Sequence, residues 1–500
     1  MKHYLFILFL FMLFTAVACN KEKLETSFEE VAKVNPHLIP KEKALASLHS
    51  FLASQNVGVT KSGLPLGKRT VKDITCVSLS YLATKSSASV PEVDDADELI
   101  YLVNFDDEQG YAMLAADDRI SSDILAVVDE GSITAEDVIN ALQPAHLAIH
   151  WELHPEGEIA YDTLYFDVED SIAIMESPSP ALFKNYYETY GEPLIGSMSA
   201  SYNDPDLPKS LTTSMCLDLV FDQVTDDSND NSDDVTTNAT STTAYGPDIV
   251  FPILKGVTDE WHQGSPFNDL CPIIWFSGGE RTPAGCVPLA LAQIMTYFKY
   301  PDVIMYNNKT VDWNELRTGW KTTAKGKESA AVLLRTIGSA SGTIYFSEGS
   351  FTFPSSAECA LSCRFKYKNV EYEKYKDSTV VKSLNNDCPV FVCSVPHKGC
   401  WDYDFYKSHA WILDGYRYHY KTTTTTIIRN GVVQDTLVKR ETLTMVHCNF
   451  GWGRLHNGYF VSGIFDLKSE DAVFDDPTDP GRNINYNWYL RTITYDNPRK

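Results

Sequence analysis

The chain has 500 residues, enough for two or three domains at about 100 to 200 residues each. Hydrophobic residues make up 44% and aromatics 12%, the composition of a folded protein, which excludes bulk disorder. With 42 Lys and Arg against 67 Asp and Glu, the net charge of −25 sets up a field that repels phosphate backbones, so nucleic acid is excluded as a partner.

Residues 1–18 open with Lys2, continue through an apolar run over 5–14 and end on the small residues Thr15, Ala16, Val17 and Ala18. This is the layout of a secretory signal peptide, and the run is too short to span a bilayer. Ala16-Val17-Ala18-Cys19 resembles the lipobox of bacterial lipoproteins. That resemblance implies acylation of Cys19 and a place in the bacterial cell envelope, anchored to the outer membrane and facing the periplasm or the exterior, with release after processing as an option. No later stretch offers about 20 uninterrupted apolar residues, so the expected membrane contact is the N-terminal lipid anchor alone.

Further along, Leu45, Leu48 and Leu52 fall at helical spacing and predict a helix over 41–53, followed by a loop around 62–72. Two runs rich in Leu, Val, Ile, Tyr and Met, 98–105 and 110–116, predict a hairpin. A third strand over 124–128 leads to Thr134-x-x-Asp137, the start of a helix ending near Pro144. Residues 19–150 thus read as a small α+β domain. No role follows for 151–245. Its last part, 226–243, is acidic and rich in Ser and Thr, and reads as a solvated linker open to proteases. Residues 246–500 suit one larger domain.

Three segments of that domain carry chemistry. In the first, Leu291, Ile294, Met295 and Phe298 mark a buried helix face, with Cys286 at its start. Pro288 is tolerated only in a first turn, which pins the cysteine to the helix N-terminus. That end carries about half a positive charge and unpaired N–H groups, which stabilise a thiolate and can bind an oxyanion. The second segment is an apolar strand over 409–416 with His409 at its mouth. The third is a strand that ends at Asn449 and opens into Phe450-Gly451-Trp452-Gly453. The eleven cysteines lack the paired spacing of zinc sites, and neither a metal nor an organic cofactor is expected.

Cysteine, then histidine, then asparagine is the chain order of papain-like thiol proteases. Gly285-Cys286-Val287, His409-Ala410 with Asp414-Gly415, and Asn449-x-Gly451-Trp452-Gly453-x-x-x-Asn457-Gly458-Tyr459-Phe460 resemble the streptopain family of secreted cysteine peptidases. Trp261-His262-Gln263-Gly264 is similar to the opening of the mature enzyme in that family. The hairpin over 101–119 looks like its inhibitory prodomain. The resemblance implies an α+β, papain-like fold, with a helical part carrying the cysteine and an antiparallel part carrying the histidine and asparagine. It implies a zymogen of four parts: signal peptide 1–18, prodomain 19–150, an unassigned 151–245 and a catalytic domain 246–500. Its partners would be a protein or peptide substrate and its own prodomain.

In the roles so implied, Cys286 is the nucleophile and His409 the base. Asn449 orients the imidazole through its side-chain carbonyl, and Phe450 and Trp452 shield that bond. Glu280 stands where papain-like enzymes carry a glutamine that donates to the oxyanion, and Phe450 stands where the family has a tryptophan. Residues 421–444 read as an inserted hairpin turning at Arg429-Asn430-Gly431. Two other readings share these residues. One is a catalytically impaired papain-fold surface protein that binds a partner. The other is a different Cys-His enzyme, such as a transglutaminase or amidase.

Overall fold

In the computed structural model of the chain, alternate residues of one strand, Val390–Ser394, face two different cores. Val390 and Val392 join one cluster of buried side chains, and Phe391 and Cys393 the other. The neighbouring strand repeats the pattern, with Trp411 and Leu413 on the first side and Ala410 and Ile412 on the second. A period of two is what a strand covered on both faces imposes. The structure describes residues 35, 37–55, 69–85, 97–142, 165–167, 172–175, 189–198, 207–224, 236–273, 281–346, 349–395, 408–429, 432–465 and 489–500. The signal peptide, Cys19, Glu280 and the turn residues Asn430 and Gly431 lie outside them.

The N-terminal part comprises α1 (Lys41–Ala53), β1 (Val71–Ser78), α2 (Leu79–Lys85), β2 (Glu98–Phe105), β3 (Tyr111–Ala115), β4 (Ile124–Val128) and α3 (Ala135–Leu142). β1 to β4 pair in sequence order, all antiparallel. The capping box forms as the sequence predicts. Thr134 N donates to Asp137 Oδ2 at 2.7 Å, and Asp137 N to Thr134 Oγ1 at 3.2 Å. β1 was not expected. It is an edge strand whose Lys72, Asp73, Thr75 and Cys76 are exposed, so no apolar alternation marks it.

The middle of the chain supplies β5 (Tyr165–Asp167), β6 (Ile172–Met175), β7 (Ile195–Met198), α4 (Leu207–Val224) and β8 (Thr236–Val250). Here the expected linker over 226–243 needs correction. From Thr236 onward the chain is a strand, not a solvated tether. The acidic composition argument holds for the first half of the stretch only; the second half is Thr-rich, and β-branched residues favour strands.

The remainder contains α5 (Cys286–Phe298), the short pair β9 (Met305–Tyr306) and β10 (Lys309–Thr310), α6 (Trp313–Gly319), α7 (Ala324–Ala340), β11 (Ile344–Phe346), β12 (Gly349–Thr352), α8 (Pro354–Cys359), β13 (Glu371–Lys374), α9 (Asp377–Asn385), β14 (Val390–Ser394), β15 (His409–Arg429), β16 (Val432–Asn449), β17 (Gly458–Val461) and β18 (Arg491–Thr494). The inserted hairpin is the distal half of β15 and β16, and β8 runs antiparallel along the same part of β15, from Tyr416↔Val250 to Ile428↔Thr236.

One sheet runs through both end domains in the order β1-β2-β3-β4-β17-β16-β15-β14-β18-β13, with β8 on β15 beyond β14. The joint is the β4–β17 pair, Gly458↔Val128 to Phe460↔Ala126. A Cβ at Gly458 would stand 2.5 Å from Val127 O, so only glycine allows this close pairing. A second sheet, β5-β6-β11-β12-β7, mixes the middle segment with strands of the C-terminal domain. The expected α+β class is what the structure has.

Candidate active site

α5 starts at Cys286 with Gly285 as its N-cap, and Pro288 lies in its first turn. The sequence predicts one buried face. In the structure every residue of the helix except Tyr297 is buried, as its all-round apolar surface requires. Cys286 itself is 2% exposed. It lies near the paired starts of β14 and β15: its charge raises the thiol of Cys393, a residue otherwise shifted upward mainly by burial, and Cys393 faces Ala410 across the ladder.

His409 begins β15 and is 3% exposed. Its ring stacks on Trp452 at 4.1 Å between centroids and lies 6.2 Å from Trp411, nearly parallel to it. Its Nε2 is 2.9 Å from Phe450 O. A carbonyl can only accept, so Nε2 carries the hydrogen and Nδ1 is left as the basic nitrogen. Burial depresses the imidazole to about 4, against a smaller upward pull from the Phe450 bond. In this closed form the ring is neutral at pH 7.

The role expected of Asn449 is corrected by these bonds. The acceptor that orients the imidazole is the main-chain carbonyl of Phe450, not the Asn449 side chain. Asn449 Oδ1 instead accepts from Gln293 Nε2 of α5 and from Gly451 N, both at 3.2 Å. Gln293 also donates to Thr258 O at 3.1 Å. Asn449 therefore clamps the nucleophile helix to the loop that carries Phe450 and Trp452. The Phe450 peptide is held from its other side by Asn457, whose Oδ1 accepts from Phe450 N at 2.9 Å and whose Nδ2 donates to Asp259 O at 3.2 Å. Gln293 and Asn457 both stand in the sequence motifs, but a residue that supports a main-chain carbonyl leaves no mark that separates it from a packing residue.

Phe450 and Trp452 stack on each other at 5.5 Å, so the aromatic shield forms with phenylalanine in the first position. A second buried histidine, His447 on β16, was missed. Its Nδ1 is 2.6 Å from Asp414 Oδ1. Burial alone would depress it, but Asp414 and then Asp129 outweigh burial and hold it up at about 9. Asp129 comes from the N-terminal part and also meets Lys255 at 3.0 Å and Arg69 at 3.3 Å. Burial opposes its ionisation, yet Lys255, His447 and Arg69 together keep it well below the usual carboxylate range.

Among the described residues one group stands within metal-binding reach, His37, Asp117 and Asp118. Asp117 already takes Arg119 through both oxygens, at 2.7 and 3.0 Å, and His37 meets Asp118 at 2.8 Å, so this group is an ion-pair network in the N-terminal part.

The Peptidase C10 family model matches residues 261–460. The thiol protease/hemagglutinin PrtT of Porphyromonas gingivalis is 24% identical over 259 residues, 45% of this chain and 26% of that protein. Streptopain of Streptococcus pyogenes is 21% identical over 264 residues, 44% of this chain and 58% of that protein. The chain thus spans less than two thirds of the length of either curated relative. The matched segment begins at Trp261, ends at Phe460 and contains Cys286, His409, Asn449 and the loop that holds the imidazole, and these likenesses together place the chain in the Peptidase C10 family of streptopain-like cysteine peptidases, with their papain-like α+β fold.

Proposed function

We propose that this chain is a cysteine endopeptidase made as a zymogen and anchored to the bacterial envelope through Cys19. The observation that carries the peptidase reading is the His409 Nε2–H bond to Phe450 O, which leaves Nδ1 basic on the strand next to the start of α5. Cys286 passes its proton to Nδ1 and attacks the scissile carbonyl. The imidazolium, held at Nε2 by the Phe450 carbonyl and roofed by Trp452, then delivers that proton to the leaving amine. Water entering the same site releases the acyl group from Cys286 by the reverse proton path.

The zymogen reading is supported by the burial of both Cys286 and His409 and by the contacts of the N-terminal part with the loop behind the histidine. Arg454 of that loop meets Glu130 at 3.7 Å and Asp259 at 2.8 Å, and Lys255 meets Asp129. In the activated enzyme, Cys286→Ala should abolish casein hydrolysis while leaving the unfolding midpoint within about 1 kcal/mol of the parent, because it removes only the nucleophile. Residual hydrolysis above a trace would refute the assignment. The anchor is tested separately: Cys19→Ser should lose incorporation of labelled palmitate, and continued labelling would sink the lipid reading.

A further inference from the structure

Residues 189–198, within the stretch to which the sequence assigns no role, lie between the two approaches to the site. β7 pairs antiparallel with β12, Ile195 opposite Thr352 and Met198 opposite Gly349. β12 is tied to the segment entering α5, because the Ser350 hydroxyl donates to Pro283 O. On its other side, Gly196 N donates to Ser408 Oγ at 3.1 Å, and that hydroxyl donates to Leu194 O at 3.4 Å. Ser408 directly precedes His409. The strand thus bridges from the approach to Cys286 to the approach to His409.

Its fit is specific. Leu194 and Ile195 are 1% and 0% exposed and belong to the same buried cluster as Cys286. A Cβ at Gly196 would stand 2.3 Å from Phe351 Cδ1 and 2.3 Å from Ser350 O, so the residue opposite Phe351 must be glycine. Upstream, the Glu192 carboxylate accepts from Ser355 N at 3.2 Å and from the Ser355 hydroxyl, and the Tyr190 ring lies 5.2 Å from Phe353.

We infer that the groove between β12 and Ser408 is a binding surface for extended peptide, filled in the intact chain by residues 194–198. The kind of partner it fits is a strand that presents two aliphatic residues followed by glycine, held by main-chain pairing to β12, with Phe351 selecting the glycine. This rests on the peptidase reading, since it names what lies over that site.

The test reads access to Cys286 rather than hydrolysis. The full chain and its Gly196→Val variant are treated with iodoacetamide, and alkylation of Cys286 is followed by mass mapping. Displacing the strand should speed alkylation roughly ten- to hundredfold, the range that overpacking of this kind produces. A synthetic peptide of residues 192–198 should slow it again in the variant, and the same peptide with valine for its glycine should not. Cys448, fully buried in the other core, reports on folding. If its labelling rises too, Ile195→Asp, which breaks the fit by a buried charge, replaces the first variant.

Equal Cys286 rates in folded variants, or equal protection by both peptides, overturns the inference. Fast alkylation without any peptide-bond hydrolysis after activation leaves the groove standing and refutes the peptidase reading. Hydrolysis with unchanged alkylation does the opposite.

Discussion

A main-chain carbonyl does at this site what the sequence leads one to expect of an amide side chain. Phe450 O takes His409 Nε2, and the geometry of that carbonyl depends on Asn457 on one side and on the Asn449–Gln293 clamp on the other. Asn457→Ala would leave the buried Phe450 N–H without its acceptor and free the carbonyl to tilt. An unmet buried donor costs about 1–3 kcal/mol. The activated variant should lose roughly ten- to hundredfold in kcat with a smaller change in KM, and its unfolding midpoint in urea should fall. A loss in KM alone would show that Asn457 does not act through the histidine. Cys286 and His409 were legible because their local contexts are explicit: a proline confined to a first turn and an apolar strand with a polar mouth. The role of Phe450 was not legible, since a backbone oxygen is common to every residue and only the fold says which one meets the ring.

The inserted ribbon shows the same division among elements. Its two strands were readable from the Thr, Ile and Val run and its turn, but its purpose lies in what packs on it. Lys421, 5% exposed at its side chain, donates to Ile120 O at 3.0 Å and stands 3.5 Å from Asp123. Arg417 lies over the Phe51 ring at 5.3 Å. The distal half of β15 is therefore the bed on which the N-terminal part rests, and β8, misjudged as linker, widens that bed by one strand. Lys421→Met keeps the stem and removes the charge. It should destabilise the full chain by about 1–3 kcal/mol in urea, through the orphaned carbonyl and carboxylate. No change would mean that the ribbon carries the N-terminal part by sheet packing alone.

At the scale of the whole molecule, the two end domains inferred from the sequence share one sheet, two cores and a buried ion network, so a cut in the connection between them is not a release. After limited proteolysis between α4 and β8, the two pieces should co-elute on size exclusion at pH 7.5, with hydrolysis appearing only when the N-terminal piece is removed.

Acid should part them. His419 is depressed to about 4, first by burial, then by Lys421 and Arg417, with Asp123 pulling the other way. His409 is depressed to about 4 by burial. Both folded values lie below the usual 6.5, so the stability they confer is present above that pH and is lost as pH falls toward 4. His447, raised to about 9, confers stability that is lost only as pH rises through that value. Co-elution should therefore hold from about pH 6.5 to 9 and fail near pH 4. Pieces that separate already at pH 7.5 would contradict the shared sheet.

The joint between β4 and β17 also bears on the order in which the protein comes into being. β1 to β4 are sequence neighbours in the sheet, so they close over short loops and can settle while the rest of the chain is still being synthesised. What they then present is the open side of β4, waiting for a strand that arrives near the end of translation, with glycine placed at Gly458 so that it can seat. The N-terminal part is in this sense a template. The enzyme's sheet is completed against an edge that exists first, and a chain started at β8 has to find the register of β17 without it.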